Sequence, residues 1–249
     1  MIPIDYIVLF FAVPCSMIII TTIKKDKWNL TWIILWTSLL FIGDCSFSDI
    51  VLFILGLGFG YFTDIAGVFA KKWWYPHYKN RIYSLSAGYG WAIITLIIFR
   101  TYFYIQTTLE TIQWIIYAMF GLMWLYIELK KGKTSYSTHW LTIRSLITVI
   151  FLFISGDIFF LFVAAIGAIF LEVLGTELKV WIYYDPPPSY LHLGTGYAQL
   201  SYLCLICTNF IVDQELPTFL QAFLLAALII LYIVDYKKIS RYNGINLKE

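Results

Sequence analysis

Two acidic residues, Asp64 and Glu172, stand in long apolar stretches and are followed by the same residue types at the same distances. Asp64 precedes Gly67, Trp73 and Tyr75, and Glu172 precedes Gly175, Trp181 and Tyr183, every pair separated by 172 − 64 = 108 positions. Burial works against the charged form of a carboxyl group, which makes such a group a proton donor. The faces of Trp and Tyr attract cations. An acid with aromatic walls is therefore equipped to protonate an alkene and hold the resulting carbocation, a chemistry that needs no cofactor. On this reading Asp64 and Glu172 are the candidate catalytic acids, and Trp73, Tyr75, Trp181 and Tyr183 the candidate substrate contacts. Arg100 and Arg144 are the basic residues placed inside apolar runs and join the candidate substrate contacts. Pairing with the acids is one use for them, and holding an anionic headgroup or diphosphate is another. His77, His139 and His192 show no metal-ligand spacing, so no metal site is expected.

The elements that would carry these residues also come in duplicate. The offset of 108 puts Trp32 on Trp140, Asp49 on Asp157, Lys71 on Lys179, Gly88 on Gly196 and Tyr89 on Tyr197, a register that reads as an internal duplication. Asp49 and Asp64 lie fifteen residues apart, which in a helix is about 22 Å along the axis and about 60° around it. Each of Asp64 and Glu172 precedes its aligned lysine by seven residues, about 10 Å inside the helix end. An ionisable group at that depth must face protein, water or a partner. Gly60 and Gly67 flank Asp64 at i−4 and i+3, and Gly175 follows Glu172 at i+3. Small residues there admit another helix or a substrate. The aromatic segments after the acids have two readings, an interfacial belt of Trp and Tyr or a fixed structural or substrate contact.

Composition places all this in a bilayer. Residues are 61% hydrophobic and 13% charged, against about 25% charged in a soluble domain. Nothing resembles a basic, aromatic-interleaved nucleic-acid surface, so no nucleic-acid partner is expected and the lipid bilayer is. Apolar runs of spanning length give an all-α polytopic bundle of nine helices, at roughly 4 to 23, 28 to 44, 48 to 70, 86 to 106, 111 to 129, 138 to 155, 157 to 178, 193 to 212 and 216 to 236. The lysines and arginines between spans fall on one side of this count and the acidic loops on the other. The positive-inside rule then predicts a multi-pass protein of the cell membrane with its N-terminus outside and its C-terminus cytoplasmic. His77 and His192 fall in or near the cytoplasmic loops of this layout. The expected organisation is an extra N-terminal helix (residues 1–27) and two tandem four-helix repeats (28–135 and 136–249) of the same orientation, related by a pseudo-twofold axis along the membrane normal. Cys204 and Cys207 have the CxxC spacing inside an apolar run and no second ligand pair, so they read as a buried structural pair.

The order of Asp64, Gly67, Trp73, Trp74 and Tyr75, in a duplicated polytopic unit, resembles the membrane-embedded lycopene cyclases built from two related domains. Glu172 to Gly175 followed by Trp181, Tyr183 and Tyr184 is also similar to the carotenoid hydratases of bacterioruberin synthesis. The resemblance implies an isoprenoid or carotenoid cyclase or hydratase acting on an apolar isoprenoid substrate. One departure is plain: where the cyclases carry Pro-x-Glu-Glu or Pro-x-Glu-Asp, this chain has Gly88-Tyr89-Gly90-Trp91 and Gly196-Tyr197-Ala198-Gln199. The same acids and parallel repeats also suit a transporter or channel for a small molecule or ion. A non-catalytic membrane scaffold is the third reading.

Overall fold

The computed structural model describes residues 11, 13–23, 26–41, 45–69, 72–76, 82–131, 139–184 and 189–214, and beyond these 219, 222, 223, 226, 229 and 230. The expected first span before residue 11, the loop residues Lys71, His77, Lys79 and Arg81, the Pro186, Pro187, Pro188 run and most of the expected span 216 to 236 lie outside the described residues.

The described chain is helical apart from one pair of two-residue strands. Its elements are α1 (Val13–Ile23), α2 (Asp26–Leu39), α3 (Phe47–Phe69), β1 (Trp73–Trp74), α4 (Ile82–Thr108), a 3-10 turn (Glu110–Ile112), α5 (Gln113–Lys131), α6 (His139–Ile154), α7 (Phe160–Glu177), β2 (Ile182–Tyr183) and α8 (Tyr190–Val212). Among the described residues, five stretches are long and apolar enough to cross a membrane: Phe47–Val68, Ala87–Thr108, Glu110–Lys130, Phe160–Glu177 and Tyr190–Val212. α6 holds a shorter apolar stretch, Thr142–Ile154. Large apolar side chains such as Phe62, Met119, Leu122, Phe153 and Phe210 point outward. Such a surface is disfavoured in water and expected against lipid, so the fold fits an integral membrane protein.

The interior forms around α4 and α8. Along α4 the run Ala92 to Phe99 is buried throughout, because α3, α2 and α7 all pack on it. α8 packs on α7, α3, α6 and α5. The α3–α4 contact is close because α3 is notched. A Cβ on Gly60 would stand 2.2 Å from Cβ of Trp91, and one on Gly56 would stand 3.1 Å from Cα of Ala92. Without a solvent-driven hydrophobic effect in the bilayer, such close approach supplies the dispersion contacts that hold helices together.

Helix ends differ from the sequence expectation where polar groups claim the backbone. The span expected from residue 157 begins at Phe160, since Gly156 turns at φ +80° and the Asp157 carbonyl accepts from the Phe160 N–H at 2.9 Å. The helix expected from residue 193 begins at Tyr190, capped by the Ser189 hydroxyl, which accepts from the His192 N–H at 3.3 Å.

Candidate functional site

Asp64 lies near the end of α3 and Glu172 near the end of α7, and both are buried, at 2% and 5% exposure. What surrounds them follows from how their helices stop. α7 ends in a Schellman motif: Lys179 adopts φ 55°, its N–H bonds the Thr176 carbonyl at 3.1 Å, and the Val180 N–H bonds the Gly175 carbonyl at 2.8 Å. At the end of α3 the Lys72 N–H closes on the Gly67 carbonyl at 2.9 Å, the same bond 108 residues earlier. Both reversals fold the following segment back along the helix it has just left.

The returning tryptophan lands on the glycine. A Cβ on Gly67 would sit 2.0 Å from Cη2 of Trp73, and a Cβ on Gly175 would sit 1.9 Å from Cη2 of Trp181. Only a residue without a side chain leaves room for the indole. Seated there, each indole N–H reaches the acid one turn up the helix. Trp73 Nε1 donates to Asp64 Oδ1 at 3.2 Å and Trp181 Nε1 donates to Glu172 Oε1 at 3.2 Å. Tyr75 adds a phenol, donating to Asp64 Oδ1 at 2.5 Å. Tyr183, the matching residue of the second copy, interacts electrostatically with Glu172. The spacing of acid, Gly, Trp and Tyr is thus a closed local circuit, present twice.

The circuits also touch each other. β1 and β2 pair antiparallel with Trp73 opposite Tyr183 and Trp74 opposite Ile182, so the linkers α3–α4 and α7–α8 meet at one end of the bundle. The Trp73 ring meets Tyr183 edge-on at 6.0 Å, and Tyr75 meets Trp181 edge-on at 6.4 Å. Each acid's indole therefore packs against the other acid's phenol. One ladder bond, from the Tyr184 N–H to the Lys72 carbonyl at 3.0 Å, has no mirror image. The residue in the corresponding place is Pro76, which carries no N–H. Burial, and after it the negative charge of Asp64, hold the Tyr75 phenol well above its ordinary range. Burial and Glu172 do the same for Tyr183.

The two arginines lie elsewhere. Arg100 forms an ion pair with Asp49 at 3.2 Å and donates to the Leu40 carbonyl at 3.2 Å, tying α2, α3 and α4 together away from the strand pair. Asp49 also closes a capping box, accepting from the Ser46 N–H at 3.0 Å while Ser46 Oγ accepts from the Asp49 N–H at 3.1 Å. Arg144 on α6 donates to the His192 carbonyl at 3.4 Å. Asp157 accepts hydroxyls from Tyr102 on α4, at 2.8 Å, and from Tyr202 on α8. The sequence singles out Asp157 only as a repeat position; its tyrosine partners lie 55 and 45 residues away along the chain and carry no local signal.

The expectation of His192 in or near a solvated loop is corrected, because the earlier start of α8 buries it at 3% exposure. Its Nδ1 lies 2.9 Å from Ser145 Oγ, which lies 2.7 Å from Thr195 Oγ1. Thr195 Oγ1 also lies 2.9 Å from the Leu191 carbonyl, and together the three side chains tie α6 to α8.

Chemically, each acid of the strand-pair site is a buried carboxyl that accepts an indole N–H and lies beside aromatic faces suited to a cation. Comparison of the chain with protein-family models, with curated proteins and with solved structures finds no match.

Proposed function

We propose that the protein is an integral membrane enzyme of isoprenoid or carotenoid modification, a cyclase or hydratase, in which Asp64 and Glu172 perform acid catalysis. The observation that carries this reading is the buried carboxyl with a tryptophan N–H at an oxygen, found at both acids, with the Tyr75 hydroxyl as a second donor at Asp64. The carboxyl O–H bond breaks as a C–H bond forms on an alkene carbon, leaving a carboxylate and a carbocation over the faces of Trp73, Tyr75, Trp181 and Tyr183. The cation then loses a neighbouring proton to a carboxylate, or takes up water whose extra proton passes to a carboxylate as the C–O bond forms.

The architecture we propose around it is nine spans, with the strand-pair end cytoplasmic and residues 28–135 and 136–249 forming parallel four-helix repeats. Several contacts support that layout. α3 packs on α4 as α7 does on α8, α2 on α4 as α6 on α8, and the cross-contacts α3–α8 and α4–α7 are reciprocal. Trp74 and Ile182, opposite each other in the strands, are themselves 182 − 74 = 108 residues apart, as a twofold axis between them requires. A non-catalytic scaffold is the second reading. It is favoured by the way the indoles fill the notches at Gly67 and Gly175, which would tie the two halves together with no turnover.

The test is extraction of lipids from cells supplied with isoprenoid precursors and expressing the wild type, Asp64→Asn or Glu172→Gln. The enzyme reading predicts a product present with the wild type and lost in both variants while membrane insertion is kept. An isoprenoid profile unaltered across all three defeats it. Solute flux into vesicles that changes in the variants, with lipids unchanged, would assign the acids to transport.

A further inference from the structure

Asp49 and Asp157 match at the offset of 108, yet their carboxyls have different partners. Asp49 is paired with a cation, Arg100, at 3.2 Å. Asp157 has no cation partner among the described residues; one of its oxygens accepts the Tyr102 hydroxyl at 2.8 Å and the other accepts the Tyr202 hydroxyl. The turn before α7 holds it in place, with its N–H on the Leu152 carbonyl at 2.9 Å. It is half-buried beside the exposed Gly156, within reach of water. α3 and α7 both run from this end of the bundle to the strand pair, so Asp157 and the strand pair lie at opposite ends. Three contacts follow one another along the seam between α4 and α8. Trp91 stacks on Tyr197 at 4.1 Å, the hydroxyl oxygens of Thr95 and Ser201 lie 3.3 Å apart, and Tyr102 and Tyr202 are joined through Asp157.

We infer that Asp157 is a proton-binding site that latches α4 to α8 at this end of the bundle. An O–H that donates to a carboxylate makes a charge-assisted bond, about twice as strong as a neutral one. A proton taken from water forms an O–H bond on one carboxyl oxygen, which removes the charge from both tyrosine bonds. The hydroxyl that donated to that oxygen must then turn. Tyr102 has Tyr117 beside it, with ring centroids 6.3 Å apart and a buried hydroxyl that has no partner among the described residues. The titratable groups around Asp157 are Tyr102 of α4, Tyr117 of α5 and Tyr202 of α8. The charged groups at this end are the exposed Glu110 and Asp213 and the Asp49–Arg100 pair, while the ionisable residues of α6 and α7 all lie toward the strand pair. The Trp91–Tyr197 stack, the Thr95–Ser201 contact and the backbone bonds of β1 and β2 contain no group that gains a proton in acid. Protonation therefore loosens the seam at the Asp157 end while those contacts stay.

Spin-label distances in the full chain, held in lipid nanodiscs at neutral and at acid pH, test the latch. With Cys15, Cys45, Cys204 and Cys207 replaced, labels are placed at Thr107→Cys on α4 and Ile211→Cys on α8, both exposed and near the Asp157 end. Acid is expected to shift the wild-type distance to longer values. Asp157→Asn, which carries no negative charge at any pH, is expected to show the longer distance at both and to lose the response to acid. Labels at Gly90→Cys and Leu191→Cys, toward the strand pair, should give the same distances with Asp157 and with Asn in its place. Should Asp157→Asn not fold, Tyr202→Phe, which removes one of the two bonds, is expected to lengthen the outer distance at neutral pH and to shrink its response to acid. An outer distance unmoved by acid, or an Asp157→Asn variant that responds as the wild type does, overturns the inference. So does a change at Gly90 and Leu191 as large as that at Thr107 and Ile211 when Asp157 is replaced.

Discussion

Replacing Gly67 with alanine adds one methyl group at the place where the structure has least room for it. The new Cβ would stand 2.0 Å from Cη2 and 2.1 Å from Cζ2 of Trp73. These atoms belong to a rigid ring, so the whole indole must move by more than an ångström to restore ordinary contact. Overpacking of this kind costs about 1–3 kcal/mol. The displaced indole also gives up its 3.2 Å bond to Asp64, and loss of a hydrogen bond costs about 0.5–1.5 kcal/mol. Together the change should destabilise the protein by about 2–4 kcal/mol. A control sits on the same helix: a Cβ at Gly58 meets nothing within 4 Å, and Gly→Ala at an open helical position stabilises by about 0.5–1 kcal/mol. Denaturant unfolding in mixed micelles, followed by circular dichroism, compares the two. The clash predicts opposite signs, and it predicts that Gly67→Ala costs much less once Trp73→Ala is present, since the two residues interact directly. If Gly67→Ala behaves like Gly58→Ala, the seating of the indole is wrong.

Three further outcomes follow from the same geometry. Gly175→Ala should repeat the Gly67→Ala loss, because Trp181 would be met at 1.9 Å; thermal unfolding of the two variants side by side checks this. Arg100→Met leaves Asp49 partly buried without its ion pair and the Leu40 carbonyl without its donor; a loss of about 2 kcal/mol, between exposed and buried pairs, is expected in the same unfolding assay. Tyr75 and Tyr183 have folded-state phenols raised above the unfolded value, so their contribution to stability is whole below about pH 10 and is lost as pH climbs past it. The melting temperature should therefore fall less steeply above that pH in the Tyr75→Phe, Tyr183→Phe double variant than in the wild type, and equal slopes would refute the assignment.

Much of the site is legible in the sequence because it is local. Acid, glycine, tryptophan and tyrosine fall within twelve residues, and their recurrence at an offset of 108 marks them by itself. Why the glycine is needed is not legible there, since that depends on a Schellman reversal with Lys179 in a conformation more usual for glycine. Helical periodicity finds the long apolar spans α3, α4, α5, α7 and α8. It misses polar ties such as Tyr102 to Asp157 and Ser145 to His192, because a lone hydroxyl or imidazole in an apolar run says nothing about a partner some fifty residues away. Tyr89 and Tyr197 align in the sequence yet face different neighbours, because Trp91, which stacks on Tyr197, aligns with Gln199 in the second copy.

The central claim is that the two linkers close on each other above the two acids, which cross-linking tests most directly. With Cys15, Cys45, Cys204 and Cys207 replaced, cysteines are placed at Trp74 and Ile182, directly opposed in the strand pair. Opposed antiparallel residues have Cα atoms about 4.5–5.5 Å apart, inside the range a disulfide spans. Mild oxidation should join them within one chain, read by mass spectrometry of the linked peptides, while Trp74→Cys with Tyr184→Cys should link far more slowly. Failure of the Trp74 and Ile182 positions to link within a chain, or links found only between chains, would contradict the account.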